Sequence, residues 1–157
     1  MKTLVVYYSY EGNCEQIAKH IQSKLNCDVL RIVPEKENIK KSMMRFVWGA
    51  KEVFMIKKPK LQPYQINLDE YDQIIFGTPI WFGTYAPAIN TFLCDNKIEN
   101  KRIGIFICDG NNKQNTFQDF EKALSNNEII STLELVYPIK NGIKQAYQKV
   151  DEWLTTL

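Results

Sequence analysis

Three short stretches of the 157-residue chain concentrate side chains that could hold a small ligand. The first is Ser9-Tyr10-Glu11-Gly12-Asn13-Cys14, lying between an apolar run and a helical pattern. Its N–H groups therefore open a helix, where unpaired donors and the positive end of the dipole favour an anion. The Ser9 hydroxyl and the Asn13 amide add donors, and Gly12 permits a turn with φ > 0 or a close backbone approach. A phosphate cradle and an ordinary strand-to-helix turn with Asn13 as N-cap both fit these residues.

The second stretch is Gly77-Thr78-Pro79-Ile80-Trp81-Phe82-Gly83-Thr84-Tyr85-Ala86-Pro87. Trp81, Phe82 and Tyr85 are too many large aromatics for a short solvent-facing connection, and an aromatic platform suits a flat ring system. One of Trp81 and Phe82 is expected to tuck under the loop. Pro79 and Pro87 stiffen it, which lowers the entropy cost of holding a stacked ligand. The third stretch is Cys108-Asp109-Gly110-Asn111-Asn112-Lys113-Gln114-Asn115. Its amides could bond the polar edge of a heteroaromatic ring, although alone it reads as a hydrophilic turn. Together the three offer a phosphate cradle, an aromatic wall and a polar edge, a set that fits a phosphorylated flat heterocycle.

Other chemistries lack their residues. There is no GxxxxGK[ST] and no GxGxxG, so neither common nucleotide fingerprint is present. A phosphatase thiolate needs an arginine six positions on, but Cys14 is followed there by His20 and Cys108 by Gln114. A receiver-type aspartate site needs carboxylates closing the first and third strands, which here end in Tyr8-Ser9 and Gly77-Thr78. The four cysteines form no CxxC pair, and the single histidine gives no zinc-type cluster. They read as reduced thiols of a cytoplasmic protein. A net charge of +2 gives no argument for nucleic acid. No apolar run approaches the ~18–20 residues that span a bilayer.

The elements that must position these loops alternate between strand and helix, the pattern of βαβ units on a parallel sheet. Strands are expected at Thr3–Tyr8, Asp28–Val33, Gln73–Gly77, Arg102–Cys108 and Leu133–Tyr137. The continuous apolar run Ile74-Ile75-Phe76 suits a strand covered on both faces. Helical spacing links Ile17, Ala18, Ile21 and Leu25, then Ala88–Leu93, then Phe117, Phe120 and Leu124, and finally Ile143, Ala146, Tyr147, Val150, Leu154 and Leu157. A further helix over residues 39–57 would place Met43, Val47, Ala50 and Phe54 on one face. Residues 1–157 read as a single domain. Right-handed crossovers make it a three-layer sandwich. A ligand then sits beyond the carboxyl ends of the strands, where the chain order reverses.

At Val5–Cys14 and, more specifically, at Gly77–Leu93 the residues resemble the flavodoxin family. The resemblance implies an α/β, flavodoxin-like sandwich with a five-stranded parallel sheet in the order 2-1-3-4-5, and FMN as cofactor. It assigns Ser9, Tyr10, Glu11, Gly12, Asn13 and Cys14 to the phosphate loop. Thr78, Pro79, Ile80, Trp81, Phe82 and Gly83 are assigned to the ring, and Asp109 and Gly110 to its edge. Glu11 and Cys14 stand where the family usually has hydroxyls, so Glu11 is expected to offer its N–H and keep its carboxylate in solvent. The third loop lacks the tyrosine that often covers the outer flavin face. Tyr85 or the segment from Met43 to Phe54 could cover it instead. The sequence pI of about 8.3 departs from the usual acidic carrier. The basic stretch Lys40–Lys60 reads either as a solvated helix face or as a docking surface for an acidic partner.

The resulting expectation is an electron-transfer flavoprotein passing one or two electrons between redox partner proteins, without a catalytic acid or base. The alternative is an FMN-dependent oxidoreductase using NAD(P)H and a quinone-type acceptor. A flavodoxin-like domain that binds protein and no FMN is a third reading.

Overall fold

A computed structural model of the chain describes residues 1–36, 58–109 and 115–157. The helix expected over residues 39–57, most of the basic stretch and residues 110–114 of the third loop lie outside the described residues.

The sheet is built from β1 (Thr3–Tyr7), β2 (Asp28–Arg31), β3 (Gln73–Trp81), β5 (Arg102–Asp109) and β6 (Glu128–Val136), all pairing in parallel in the order β2-β1-β3-β5-β6. In chain order of the parallel strands this is 2-1-3-4-5, as the resemblance implied. One element is added: β4 (Thr84–Tyr85) folds back antiparallel on the end of β3. Its two-residue connection, Phe82-Gly83, has φ of 53° and 76°. Positive φ at both central residues is the mark of a tight hairpin whose twist matches its strands. The second candidate stretch is therefore a hairpin on a long strand rather than an open loop.

Helices α1 (Asn13–Leu25), α2 (Pro87–Asp95), α3 (Thr116–Ala123) and α4 (Pro138–Leu154) cover the sheet. The period-2 alternation of β1 sorts its side chains to two cores. Leu4, Val6 and Tyr8 join Phe76, Ile89, Phe92 and Phe120 beneath α2 and α3. Val5 and Tyr7 join Ile17, Ile21, Phe106, Val150 and Trp153 beneath α1 and α4. Three layers follow. Helix α1 forms because Cys14, Ile17, Ala18 and Ile21 make one buried stripe. Ile17 and Ile21 are fully buried and contribute about 1.5–3 kcal/mol apiece. The helix stops at Asn26, whose left-handed conformation returns its N–H to the Gln22 carbonyl.

Several boundaries differ from the sequence expectation: β2 ends at Arg31 rather than Val33, and β3 runs on to Trp81 rather than Gly77. Strand β6 begins at Glu128 rather than Leu133, and Tyr137 ends it in a left-handed conformation (φ 40°). Helix α4 starts at Pro138, breaks at Gly142 (φ 121°, ψ 96°) and ends before Leu157. Helices α1 and α4 are tied at both ends. The Ile139 N–H donates to Asn13 Oδ1 at 3.1 Å, and Asp151 pairs with His20 at 2.7 Å and Lys24 at 2.8 Å. The His20 ring stacks on Tyr147, with 4.0 Å between centroids.

Candidate functional site

Strand register brings the candidate loops to one end of the sheet. Tyr7 pairs with Gly77, and Pro79 pairs with Cys108. The segments after β1, at the end of β3 and at Asp109 therefore leave the sheet together, at the carboxyl ends. Neighbours β1 and β3 have connections that run to opposite sides, so the crevice between them is where a ligand enters such a sheet. Gly77 is needed for this approach: a Cβ there would lie 2.1 Å from the Phe106 ring.

The first loop is shaped to receive an anion. Gly12, at φ 90°, is the N-cap of α1, and no side chain caps the helix. Asn13 is the first helical residue, so the reading of it as N-cap does not hold. Its Oδ1 accepts the Ile139 N–H, which leaves only its NH2 group to offer an anion. Cys14 is 1 % exposed and belongs to the core, so it can contribute only backbone. Glu11 is exposed, as its expected role requires. The decisive atom is Ser9 Oγ. Ser9 is 3 % exposed, and its hydroxyl has no hydrogen-bond partner among the described residues. A buried hydroxyl left unpaired costs about 1–3 kcal/mol, so an arriving acceptor has that much to restore. The orphaned hydroxyl, the uncapped helix and the glycine turn fit a phosphate.

The hairpin is tied into the protein at both ends, although its buried Thr84 hydroxyl also has no partner among the described residues. Thr78 is fully buried, and its Oγ1 accepts the Ala86 N–H at 3.0 Å and donates to the Pro79 carbonyl at 2.8 Å. Its hydroxyl is therefore held inside the protein. The Thr116 hydroxyl donates to the Gly83 carbonyl at 3.4 Å and ties the turn to α3. Gly83 is buried, while Pro79, Ile80, Trp81 and Phe82 are half-buried. Phe82 holds a left-handed φ that costs a non-glycine residue roughly 1–2 kcal/mol. Trp81 packs partly buried against the core, as one of the two aromatics was expected to, but the residue that tucks fully under is Tyr85. Tyr85 is 3 % exposed, with its ring 4.6 Å from Phe120. Burial, with a smaller contribution from the charge of Asp119, pushes its hydroxyl up to about 12. A tyrosine packed in the core does not cover a ligand, so that expectation for Tyr85 is corrected.

Trp81 joins the two regions. Its ring lies edge-on to Tyr8 at 5.4 Å and to Tyr10 at 6.0 Å. Tyr10, 37 % exposed, thus belongs to both the phosphate loop and the aromatic wall. Asp109 ends β5 opposite Val136, and Gly110 lies outside the described residues. Two neighbours escaped the sequence reading. Thr116 carries a hydroxyl in a helix start, which hints at a cap but not at its partner. Ile139 stands 48 % exposed beside the phosphate loop, its Cδ1 3.8 Å from where a Gly12 Cβ would lie, and no local motif marks it. Among the described residues no group of three or more His, Cys, Asp or Glu could hold a metal, and no helix is long and apolar enough to cross a membrane.

A flavodoxin family model matches residues 2–154. The chain belongs to the flavodoxin family. Solved flavodoxin-like structures share its fold. It is similar to a flavoprotein from Lactobacillus acidophilus NCFM, solved in complex with FMN, at 20 % identity over 97 % of both chains with a TM-score of 0.74. It is also similar to a chain from Bacteroides uniformis ATCC 8492 assigned as a flavoprotein, at 24 % identity over 94 % of this chain and 97 % of that one, TM-score 0.77. Oxidised Flavodoxin 2 from Bacillus cereus matches at 17 % identity over 99 % and 97 % of the two chains, TM-score 0.64.

Proposed function

We propose that this flavodoxin-family chain binds FMN across the carboxyl ends of β1, β3 and β5 and carries electrons between redox partners in the cytoplasm. The observation that carries this reading is the buried Ser9 hydroxyl, without a partner among the described residues, on a loop whose helix has no side-chain cap. Ser9 Oγ, the N–H groups of Glu11 to Cys14 and the Asn13 NH2 would hold the phosphate. Gly12 lets the backbone curl around it. Trp81, Phe82 and the Pro79–Ile80 backbone would hold the ring, and Asp109 and Gly110 its polar edge. Bound FMN supplies the one- and two-electron chemistry. The chain's own work is to bind, orient and shield, for which it needs no acid or base. Four free thiols agree with a reducing compartment.

One observation favours the oxidoreductase alternative. Tyr85 is withdrawn into the core, which removes one of the two expected covers of the outer ring face and leaves more room there for NAD(P)H or a quinone. The two readings separate in one assay. The FMN-loaded chain is reduced chemically and mixed with a one-electron acceptor, then supplied with NAD(P)H and a quinone. Electron release to the acceptor with no sustained NAD(P)H oxidation is the expected result. Steady NAD(P)H turnover by the chain alone would establish the alternative.

A further inference from the structure

The family resemblance places Thr78 against the ring, yet its side chain sits wholly inside the protein. A hydroxyl has one proton to donate. That of Thr78 goes to the Pro79 carbonyl, while its oxygen accepts the Ala86 N–H from eight residues away. Ala86 is the first residue after β4 and the N-cap of α2. The Thr78 hydroxyl therefore closes the base of the hairpin that carries Trp81 and Phe82. Thr116 closes the other end through the Gly83 carbonyl. Between these ties Phe82 is held at φ 53°, a conformation that persists only where its surroundings enforce it.

We infer that Thr78 is a positioning residue: its hydroxyl fixes the aromatic hairpin in the shape that receives the flavin ring, without itself touching the cofactor. This rests on the FMN reading above. Valine keeps the shape of threonine but leaves the Ala86 N–H buried and unpaired, a penalty large enough to open the base of the hairpin. Serine keeps the hydroxyl.

The test compares wild type, Thr78→Val and Thr78→Ser, each with and without FMN. Without FMN, hydrogen exchange at the Ala86 amide is expected to quicken about tenfold or more in Thr78→Val and to stay within about twofold in Thr78→Ser. With FMN, the dissociation constant should rise about tenfold in Thr78→Val, with serine restoring it. Unchanged exchange at Ala86 in Thr78→Val would overturn the inference. So would weaker FMN binding with unchanged exchange, which is the signature of a direct ligand. If Thr78→Val does not fold, Thr116→Val reads the other tie: faster exchange around Thr84 with weaker FMN binding supports the clamped hairpin, and no change in either contradicts it. Should the wild type take up no FMN, the functional reading fails, and the exchange rates of the FMN-free chain still decide whether Thr78 holds the hairpin.

Discussion

The Ser9–Cys14 loop and the hairpin meet where Trp81 touches Tyr8 and Tyr10, and they differ in how firmly each is tied to the rest of the protein. The hairpin is tied at both ends, Thr78 bonding Ala86 and Pro79 and Thr116 bonding Gly83, although its buried Thr84 hydroxyl has no partner among the described residues. The loop has no such hydroxyl tie: Ser9 is buried without a partner among the described residues, and α1 begins without a side-chain cap. On the FMN reading proposed above, the hairpin would be a wall formed in advance and the loop a receptor that its ligand completes. Pre-formed walls lower the ordering cost of binding, while an unsatisfied cradle gives binding something to restore.

Substitutions in the two regions should differ in kind. The largest effect is expected at Gly77→Ala. Its Cβ would meet three Phe106 ring atoms between 2.1 and 2.7 Å, and Phe106 is fully buried. Stability should fall by the upper end of the roughly 1–3 kcal/mol typical of overpacking, or beyond, in a urea unfolding curve. Trp81→Ala should weaken FMN binding by about 1–3 kcal/mol in a fluorescence titration. An unchanged affinity would make Trp81 a packing residue between Tyr8 and Tyr10.

Ser9→Ala sharpens the contrast because its two effects have opposite signs. The FMN-free chain should gain roughly 1 kcal/mol by losing an unpaired buried hydroxyl, while FMN affinity falls. Loss of stability in the FMN-free variant would show that the hydroxyl was already satisfied. Gly12→Ala should cost about 1–2 kcal/mol through backbone strain at φ 90°, because its Cβ meets only Ile139 at an ordinary 3.8 Å.

At neutral pH the smallest change is expected from Tyr85→Phe. Burial raises the Tyr85 hydroxyl to about 12, so the folded state holds that proton more tightly than the unfolded chain. Its contribution is complete below the ordinary tyrosine value of about 10 and is lost as pH rises through about 12. Wild type should therefore lose more stability than Tyr85→Phe over that window, measured by thermal melts at increasing pH. Parallel curves would place the hydroxyl in solvent.

The alternation of strands and helices was legible in the sequence, because buried parallel strands are continuous apolar runs and α1 has a clean 3.6-residue stripe, while the sheet order came with the family resemblance. The sequence hid what depends on pairing. The start of β6, Glu128-Ile129-Ile130-Ser131, keeps neither a continuous apolar run nor a strict alternation, as suits an edge strand paired with β5 and half-exposed along most of its length. The hairpin was masked because its first turn position is Phe82, where asparagine, aspartate or glycine is usual, so only Gly83 signalled the turn. Tyr85 looked like part of an aromatic platform because sequence spacing cannot tell a ring facing a ligand from one facing Phe120. The engagement of Asn13 by Ile139 and of Gly83 by Thr116 joins residues far apart in the chain, and no local pattern encodes it.

The FMN reading requires the Ser9–Cys14 loop to hold a phosphate. It is tested most directly by titrating the FMN-free chain with FMN and with riboflavin, which has the same ring and no phosphate, following flavin absorbance and fluorescence. FMN should bind at micromolar concentrations or below, with riboflavin at least about a hundredfold weaker, a loss of roughly 2.7 kcal/mol. Equal binding of the two, or uptake of neither, would contradict it.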